Sequence, residues 1–154
     1  MRGVLRLITD DGVVARTSGP GGLNRATFQR GTVVLRRRDR LNPIRLMLSH
    51  EFAILEAAQR RGWWEAATVG WIYNIVDHAG QTIVAFHWYP HASGSVTWPH
   101  LHAHGVHESV ELHKLHPPTG PVTMGSIVRF LIEDLGVQPR RPDWQAILDR
   151  RAGA

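Results

Sequence analysis

Histidines are concentrated in one short part of the sequence. The stretch WPHLHAHGVHE, residues 98–108, holds four of them, and eight of the ten histidines lie between His87 and His116. If residues 100–104 form a strand, the two-residue side-chain period places His100, His102 and His104 on one face. The apolar residues between them then face the core. The pattern predicts a group of imidazoles lining a cleft.

A second strand is expected to bring a further histidine to this group. The segment WYPHASGSVTW, residues 88–98, is typical of a hairpin connection. If Tyr89 lies opposite Trp98, His87 lies beside His100 and Ala85 beside His102. Four imidazoles then share one patch.

One chemistry that fits such a patch is metal binding. His102 and His104 have the His-x-His spacing that can place two neutral imidazoles on one divalent ion, and Glu108 adds a carboxylate ligand. The chain has no cysteine, so any metal must be held by histidine or carboxylate. This alternative predicts a metal-dependent hydrolase or small-molecule enzyme that uses zinc, manganese or nickel.

A second chemistry is RNA cleavage without a metal. One imidazole can take the proton of a 2′-hydroxyl while another protonates the leaving oxygen, and a cation stabilises the charge of the phosphorane. The candidate catalytic residues are His100, His102, His104, His113, His116 and, as the cation, Lys114. The remaining alternative is that these histidines only form hydrogen bonds near the surface.

Composition is that of one globular domain with a basic surface. The 154 residues are 43% hydrophobic and 20% charged, which favours a single folded domain over a disordered chain. The net charge of +5 is carried almost entirely by arginine, whose planar fork suits phosphate groups. Candidate nucleic-acid contacts are Arg36, Arg37, Arg38 and Arg40, with Trp88 and Trp98 as candidates for stacking on a base. The arginine run is equally compatible with a solvated strand end.

The elements needed to position these residues can be sketched from hydrophobic periodicity. We expect a hairpin, with its turn at residues 10–12, and a strand within residues 1–40, then a helix over 43–61 that begins at Asn42-Pro43 and ends at Gly62. A histidine-rich sheet is expected over 66–107, with a turn at 78–80. Helices are expected over 123–151, capped by Thr123 and Asp143. This order predicts a single α+β domain, with an antiparallel or mixed sheet and helices packed on one side.

No targeting or membrane segment is expected. The N-terminal apolar run is too short for a signal peptide, and no later segment approaches 18 apolar residues. We therefore expect a cytoplasmic protein that has no membrane partner and that can form a homo-oligomer.

Two families share single motifs with the histidine segment. His102-x-His104 resembles the first metal motif of cupins, although the second cupin motif is missing. The run HLHAHGV is similar to the pattern of histidine-triad nucleotide hydrolases. In that family, however, an AGQ segment runs directly into the triad, and here the AGQ at residues 79–81 is well separated from it.

Residues 71–148 resemble an uncharacterised bacterial family on four motifs, FHWYP, PHLHAH, HPPTG and the final run IVRFLIEDLGVQPRRPDWQAIL. The layout is also distantly similar to TumE-type toxins of toxin–antitoxin pairs, whose His-x-His position is matched by His100 and His102, with His104 as a third candidate. That resemblance implies a toxin-like ribonuclease with RNA as substrate and a cognate antitoxin protein as partner. A non-enzymatic partner in a toxin–antitoxin or anti-phage assembly is a further alternative.

Overall fold

The computed structural model describes residues 1–91, 96–104, 106–107, 110–111 and 115–152. Its main element is a six-stranded antiparallel sheet in which spatial order follows chain order. The strands are β1 Val13–Arg16, β2 Leu23–Leu35, β3 Ile44–Glu56, β4 Trp64–Val76, β5 Thr82–Trp88 and β6 His100–Ala103. Two short strands, β7 Val106–His107 and β8 Val110–Glu111, pair with each other. The helices are α1 Arg2–Leu5, α2 Met124–Glu133 and α3 Trp144–Ala152.

One face of the sheet is apolar and carries the helices. Leu46 and Leu48 on β3, and Tyr73 and Ile75 on β4, lie two residues apart and so share one face, and all four are buried. The apolar stripe of α2 packs against the same core, and α1 and α3 contribute to it. We call this side the core face and the opposite side the outer face. An antiparallel sheet with short helices on one face agrees with the predicted α+β class.

The helix predicted over 43–61 is wrong, because this segment is the central strand β3. Residues four apart share one face in a strand as well as in a helix, so the spacing of Ile44, Leu48 and Phe52 fits both structures. Leu46 distinguishes them: it is fully buried, whereas a helix would have turned it away from the other three. Pairing with β2 and β4 supplies the backbone hydrogen bonds of this segment.

The N-terminal hairpin differs in the place of its turn. Residues 4–8, expected as a strand, form α1 and the turn after it, and Val4, Leu5, Leu7 and Ile8 are buried in the helical spacing i, i+1, i+3, i+4. The hairpin is made by β1 and β2. Its turn falls in the glycine-rich segment 17–22 and not at residues 10–12.

The C-terminal helices are close to their predicted positions. Thr123 caps α2, with its hydroxyl accepting a hydrogen bond from the backbone N–H of Ser126. Gly136, just after the helix, has a φ of 68°, a conformation that favours glycine. The carboxylate of Asp143, expected to cap α3, instead pairs with Arg141.

Candidate metal centre

The β5–β6 hairpin has the predicted register. His87 is the Cα partner of His100, and Ala85 is the partner of His102. Because side chains alternate along each strand, these histidines all lie on the outer face. Leu101, the residue between the two β6 histidines, packs against the core.

A third segment brings His116 to the same place. Pro118 forms an isolated β-bridge with His100. The N–H of Leu101 donates to the carbonyl of Pro117, and the N–H of Thr119 donates to that of Pro99. The chain therefore returns along the edge of β6 and carries an imidazole back to the outer face.

The four rings are in direct contact, and we call His87, His100, His102 and His116 the histidine cluster. Ring centroids are 5.5 Å apart for His87 and His100, and 4.7 Å apart for His87 and His102. The His116 ring lies 5.3 Å from that of His100 and 4.5 Å from that of His102. The cluster is graded in exposure: His100 is buried, His87 and His102 are half-buried, and His116 is exposed.

Two nitrogen atoms in this cluster point at each other. The Nδ1 of His100 lies 2.8 Å from the carbonyl oxygen of Trp98, and its Nε2 lies 3.1 Å from the Nε2 of His102. A carbonyl can only accept, so His100 must donate from Nδ1. In neutral His100 the free lone pair therefore sits on Nε2 and points towards His102.

This geometry fits a divalent metal ion. Two nitrogens bound to zinc at a tetrahedral angle are roughly 3.3 Å apart. The 3.1 Å between the two Nε2 atoms is close to that spacing. Within the described part of the chain, ligand atoms of His87, His100 and His102 lie within 4.8 Å of one another. A neutral imidazole whose other nitrogen is held by a carbonyl is a usual zinc ligand.

The environment keeps His87 uncharged. Burial lowers the pKa of His87 to about 4, and the neighbouring imidazoles His102, His100 and His116 add to the shift because protonated neighbours would repel a second charge. At neutral pH the His87 ring therefore carries a lone pair, which a metal ligand requires.

A buried carboxylate lies on the same face of the sheet, on β3. Glu51 on β3 has only 2% of its side chain exposed. Its Oε1 accepts hydrogen bonds from Arg25 Nε at 3.0 Å, Arg25 Nη2 at 2.5 Å and the Tyr89 hydroxyl at 2.6 Å. Gly70, the β4 partner of Glu51, leaves room for this contact, since a Cβ there would lie 3.5 Å from Glu51 Oε2 and 3.1 Å from the Trp88 carbonyl oxygen. No local pattern predicts this network, because its members are far apart in the chain.

The remaining predicted site residues are placed apart from the cluster or outside the described residues. His104 is exposed, just after β6, and its N–H donates to the carbonyl of Ile83. It does not belong to the ligand set found among the described residues, which joins His102 with His100 and His87. Glu108, His113 and Lys114 lie outside the described residues.

Of the candidate nucleic-acid residues, Trp98 contacts the cluster through its carbonyl, whereas Trp88 packs against the core and the arginine run lies in the β2–β3 connection. Trp88 alternates with His87 on β5 and packs against the core, 6.3 Å from the ring of Trp71. Trp98 is exposed next to His100. The arginine run lies in the β2–β3 connection, where Arg37 pairs with Asp39 and Arg38 donates to the carbonyl of Ile132 at the end of α2. Arg36 and Arg40 lie in the same connection.

Comparison with protein-family models, with curated proteins and with solved structures found no match to this chain. In the part of the chain that the structure describes, no helix has the length and apolar character needed to cross a membrane.

Proposed function

We propose that the protein is a metal-dependent hydrolase whose metal is held by His87, His100 and His102. The observation that carries this proposal is the convergence of two imidazole nitrogens 3.1 Å apart, one of them fixed in its tautomer by the Trp98 carbonyl. A divalent ion shared by the two rings would be held by nitrogens at this spacing.

Each histidine has a distinct part in this proposal. A divalent metal bound to neutral imidazoles lowers the pKa of a bound water to near neutrality and so supplies a hydroxide nucleophile. His100, buried and anchored to the backbone, sets the position of the site. His116 lies at the exposed rim, where its imidazole can exchange protons with solvent.

The first experiment is a metal analysis of protein purified without a polyhistidine tag. Wild type is loaded with zinc, manganese or nickel, dialysed, and analysed by elemental mass spectrometry beside His100→Ala and His102→Ala. His78→Ala is the matched control, because His78 is exposed in the β4–β5 turn. We expect about one metal per chain in wild type and in the control, and a loss of at least tenfold in occupancy in the two cluster variants.

Hydrolysis is then tested with a chromogenic phosphodiester and a chromogenic carboxylic ester. Activity that is lost with a chelator, restored by metal and absent in His100→Ala supports the proposal. Wild-type protein that holds no metal after loading contradicts it, provided that melting curves in chelator show all variants folded.

RNA cleavage without a metal is the second candidate, and one observation favours it. A ring held neutral at physiological pH, His87, lies in the same cluster as the exposed imidazole of His116, and an acid–base pair needs one neutral and one protonated group. Cleavage of a labelled RNA that persists in chelator and disappears in His87→Ala would select this alternative. The antitoxin partner and the non-enzymatic role stay predictions, since both rest on resemblance alone.

A further inference from the structure

Two arginines face each other at one end of the outer face. Arg16 on β1 and Arg25 on β2 are direct cross-strand partners. Like charges in this position destabilise a sheet, so the pair is unfavourable unless something negative lies near it. Glu51 satisfies part of this requirement, because it accepts two hydrogen bonds from Arg25.

Glu51 does not neutralise the whole pair. It holds Arg25 by the Nε and Nη2 atoms, while 51% of the Arg25 side chain remains exposed. Arg16 is exposed, and among the described residues it forms no ion pair. A guanidinium has five N–H donors, so this end of the face presents a surplus of donors and about one unbalanced positive charge.

The arginines line a groove that also contains hydroxyl groups. Its walls are formed by Arg16, Ser18, Leu23, Arg25 and Thr27. Ser18 is fixed on both sides, with its N–H donating to Asn24 Oδ1 and its hydroxyl donating to the Leu23 carbonyl. Two guanidinium groups and the Thr27 hydroxyl in one groove are a donor set that phosphate oxygens take.

We propose that Arg16 and Arg25 form a binding subsite for a phosphate group. The subsite is joined to the histidine cluster by one row of cross-strand partners on the outer face. That row runs from Thr27 through Ser49 and Ile72 to His87 and then His100. From β2 to β5 there are three strand spacings, roughly 14 Å. A ligand that reaches both places must therefore be elongated and carry a phosphate away from its reacting group.

The claim that one ligand reaches both the subsite and the cluster rests on the proposed function. The claim that Arg16 and Arg25 bind phosphate does not. The test is therefore made in chelator, with no metal and no turnover. Binding of inorganic phosphate is followed by NMR titration of backbone amides in wild type, Arg16→Gln and the double variant Arg25→Gln/Glu51→Gln. The double variant removes both partners of the buried pair, so that Glu51 is not left buried without its cation. Arg61→Gln, at the exposed β3–β4 turn, is the control for the loss of one positive charge.

In wild type we expect saturable phosphate binding, with shifts of the backbone amide signals of Ser18 and Thr27. The affinity for phosphate should be at least fivefold weaker in the Arg16 variant and in the double variant. It should be unchanged in the control. Equal weakening in Arg61→Gln, or unchanged affinity in Arg16→Gln, overturns the subsite.

The source of the phosphate is then tested with a mononucleotide and an eight-residue single-stranded DNA. Tighter binding of the DNA, with a salt slope reduced by about 0.7 in Arg16→Gln, assigns the subsite to a nucleic-acid strand. Equal affinities assign it to a small phosphorylated ligand.

Because the two tests have separate readouts, their failures can be told apart. Phosphate binding without metal binding would remove the hydrolase proposal and keep the subsite. Metal binding without phosphate binding would remove the subsite and keep the hydrolase proposal.

Discussion

A backbone carbonyl decides the chemistry of the most buried histidine. The Trp98 carbonyl accepts from Nδ1 of His100, and no side-chain substitution at position 98 removes that acceptor. The lone pair of His100 is thus directed by the fold of the chain before β6. With His100 neutral and its proton on Nδ1, His102 donates its Nε2 proton to the His100 Nε2 atom. A metal ion bound at both Nε2 atoms would require that proton to move to Nδ1 of His102.

We predict that neutral His100 in metal-free protein is found as the Nδ1–H tautomer, because the Trp98 carbonyl can only accept a hydrogen bond. Long-range proton–nitrogen NMR spectra separate protonated and unprotonated ring nitrogens, and His100→Gln identifies the signal. His78, exposed in a turn, serves as the reference for an unconstrained ring. Protonation of His100 at Nε2 would direct a proton at the presumed metal position and would count against the proposed centre.

At the scale of elements, α2 depends on its N-terminal cap. The hydroxyl of Thr123 is 3.0 Å from the Ser126 N–H, one of the donors that a helix start leaves without a partner. We predict that Thr123→Ala lowers the free energy of unfolding by about 1 kcal/mol. Urea denaturation measures this value. Thr119→Ala is the control, since the Thr119 hydroxyl contacts only the neighbouring Gly120 carbonyl. An equal effect of both substitutions would contradict a capping role.

Elements whose evidence is local could be predicted from the sequence. The register of β5 and β6 follows from alternation and from the length of the connecting segment, and the cap of α2 follows from one threonine before an apolar stripe. The helix predicted over 43–61 was wrong because the spacing of Ile44, Leu48 and Phe52 fits both the helical period and the strand period. Only the burial of Leu46, which depends on the neighbouring strands, resolves that ambiguity.

The candidate site was predicted in part, for a related reason. Alternation placed His87, His100 and His102 together, but it also extended the patch to His104, which the end of β6 leaves exposed. The position of His116 depends on the chain returning along β6 at Pro118, and such long-range pairing leaves no local pattern. The internal contact of Arg38 likewise depends on a carbonyl of α2 nearly a hundred residues away.

At the scale of the whole molecule, burial of histidines makes stability depend on pH. His50, on β3, is hydrogen-bonded to the Tyr73 hydroxyl through Nδ1 and to the Thr68 hydroxyl through Nε2. Burial lowers the pKa of His50 below the usual 6.5, and the charged amino terminus makes a smaller contribution. Between these two pKa values the unfolded chain binds a proton and the folded chain does not. The stability provided by neutral His50 is therefore present above about pH 6.5 and is lost as the pH falls towards the folded pKa.

We predict that the melting temperature in chelator falls between about pH 7.5 and pH 5.5, and falls less in His50→Gln than in wild type. Differential scanning fluorimetry at several pH values provides the comparison. His87, whose pKa is also lowered, contributes in the same direction to both proteins, so the difference between them isolates His50. Parallel curves of melting temperature against pH for the two proteins would show that the pKa of His50 is the same in the folded and the unfolded chain.

The order of the strands has a consequence for how the molecule folds. Every pairing in the six-stranded sheet joins strands that are consecutive in the chain, so the loops that must close are short. The sheet can therefore grow one hairpin at a time from β2, β3 and β4. The histidine cluster, in contrast, draws on the last hairpin and on the returning segment near Pro118. We expect a metal added during refolding to leave the early kinetic phase unchanged and to act on the final one.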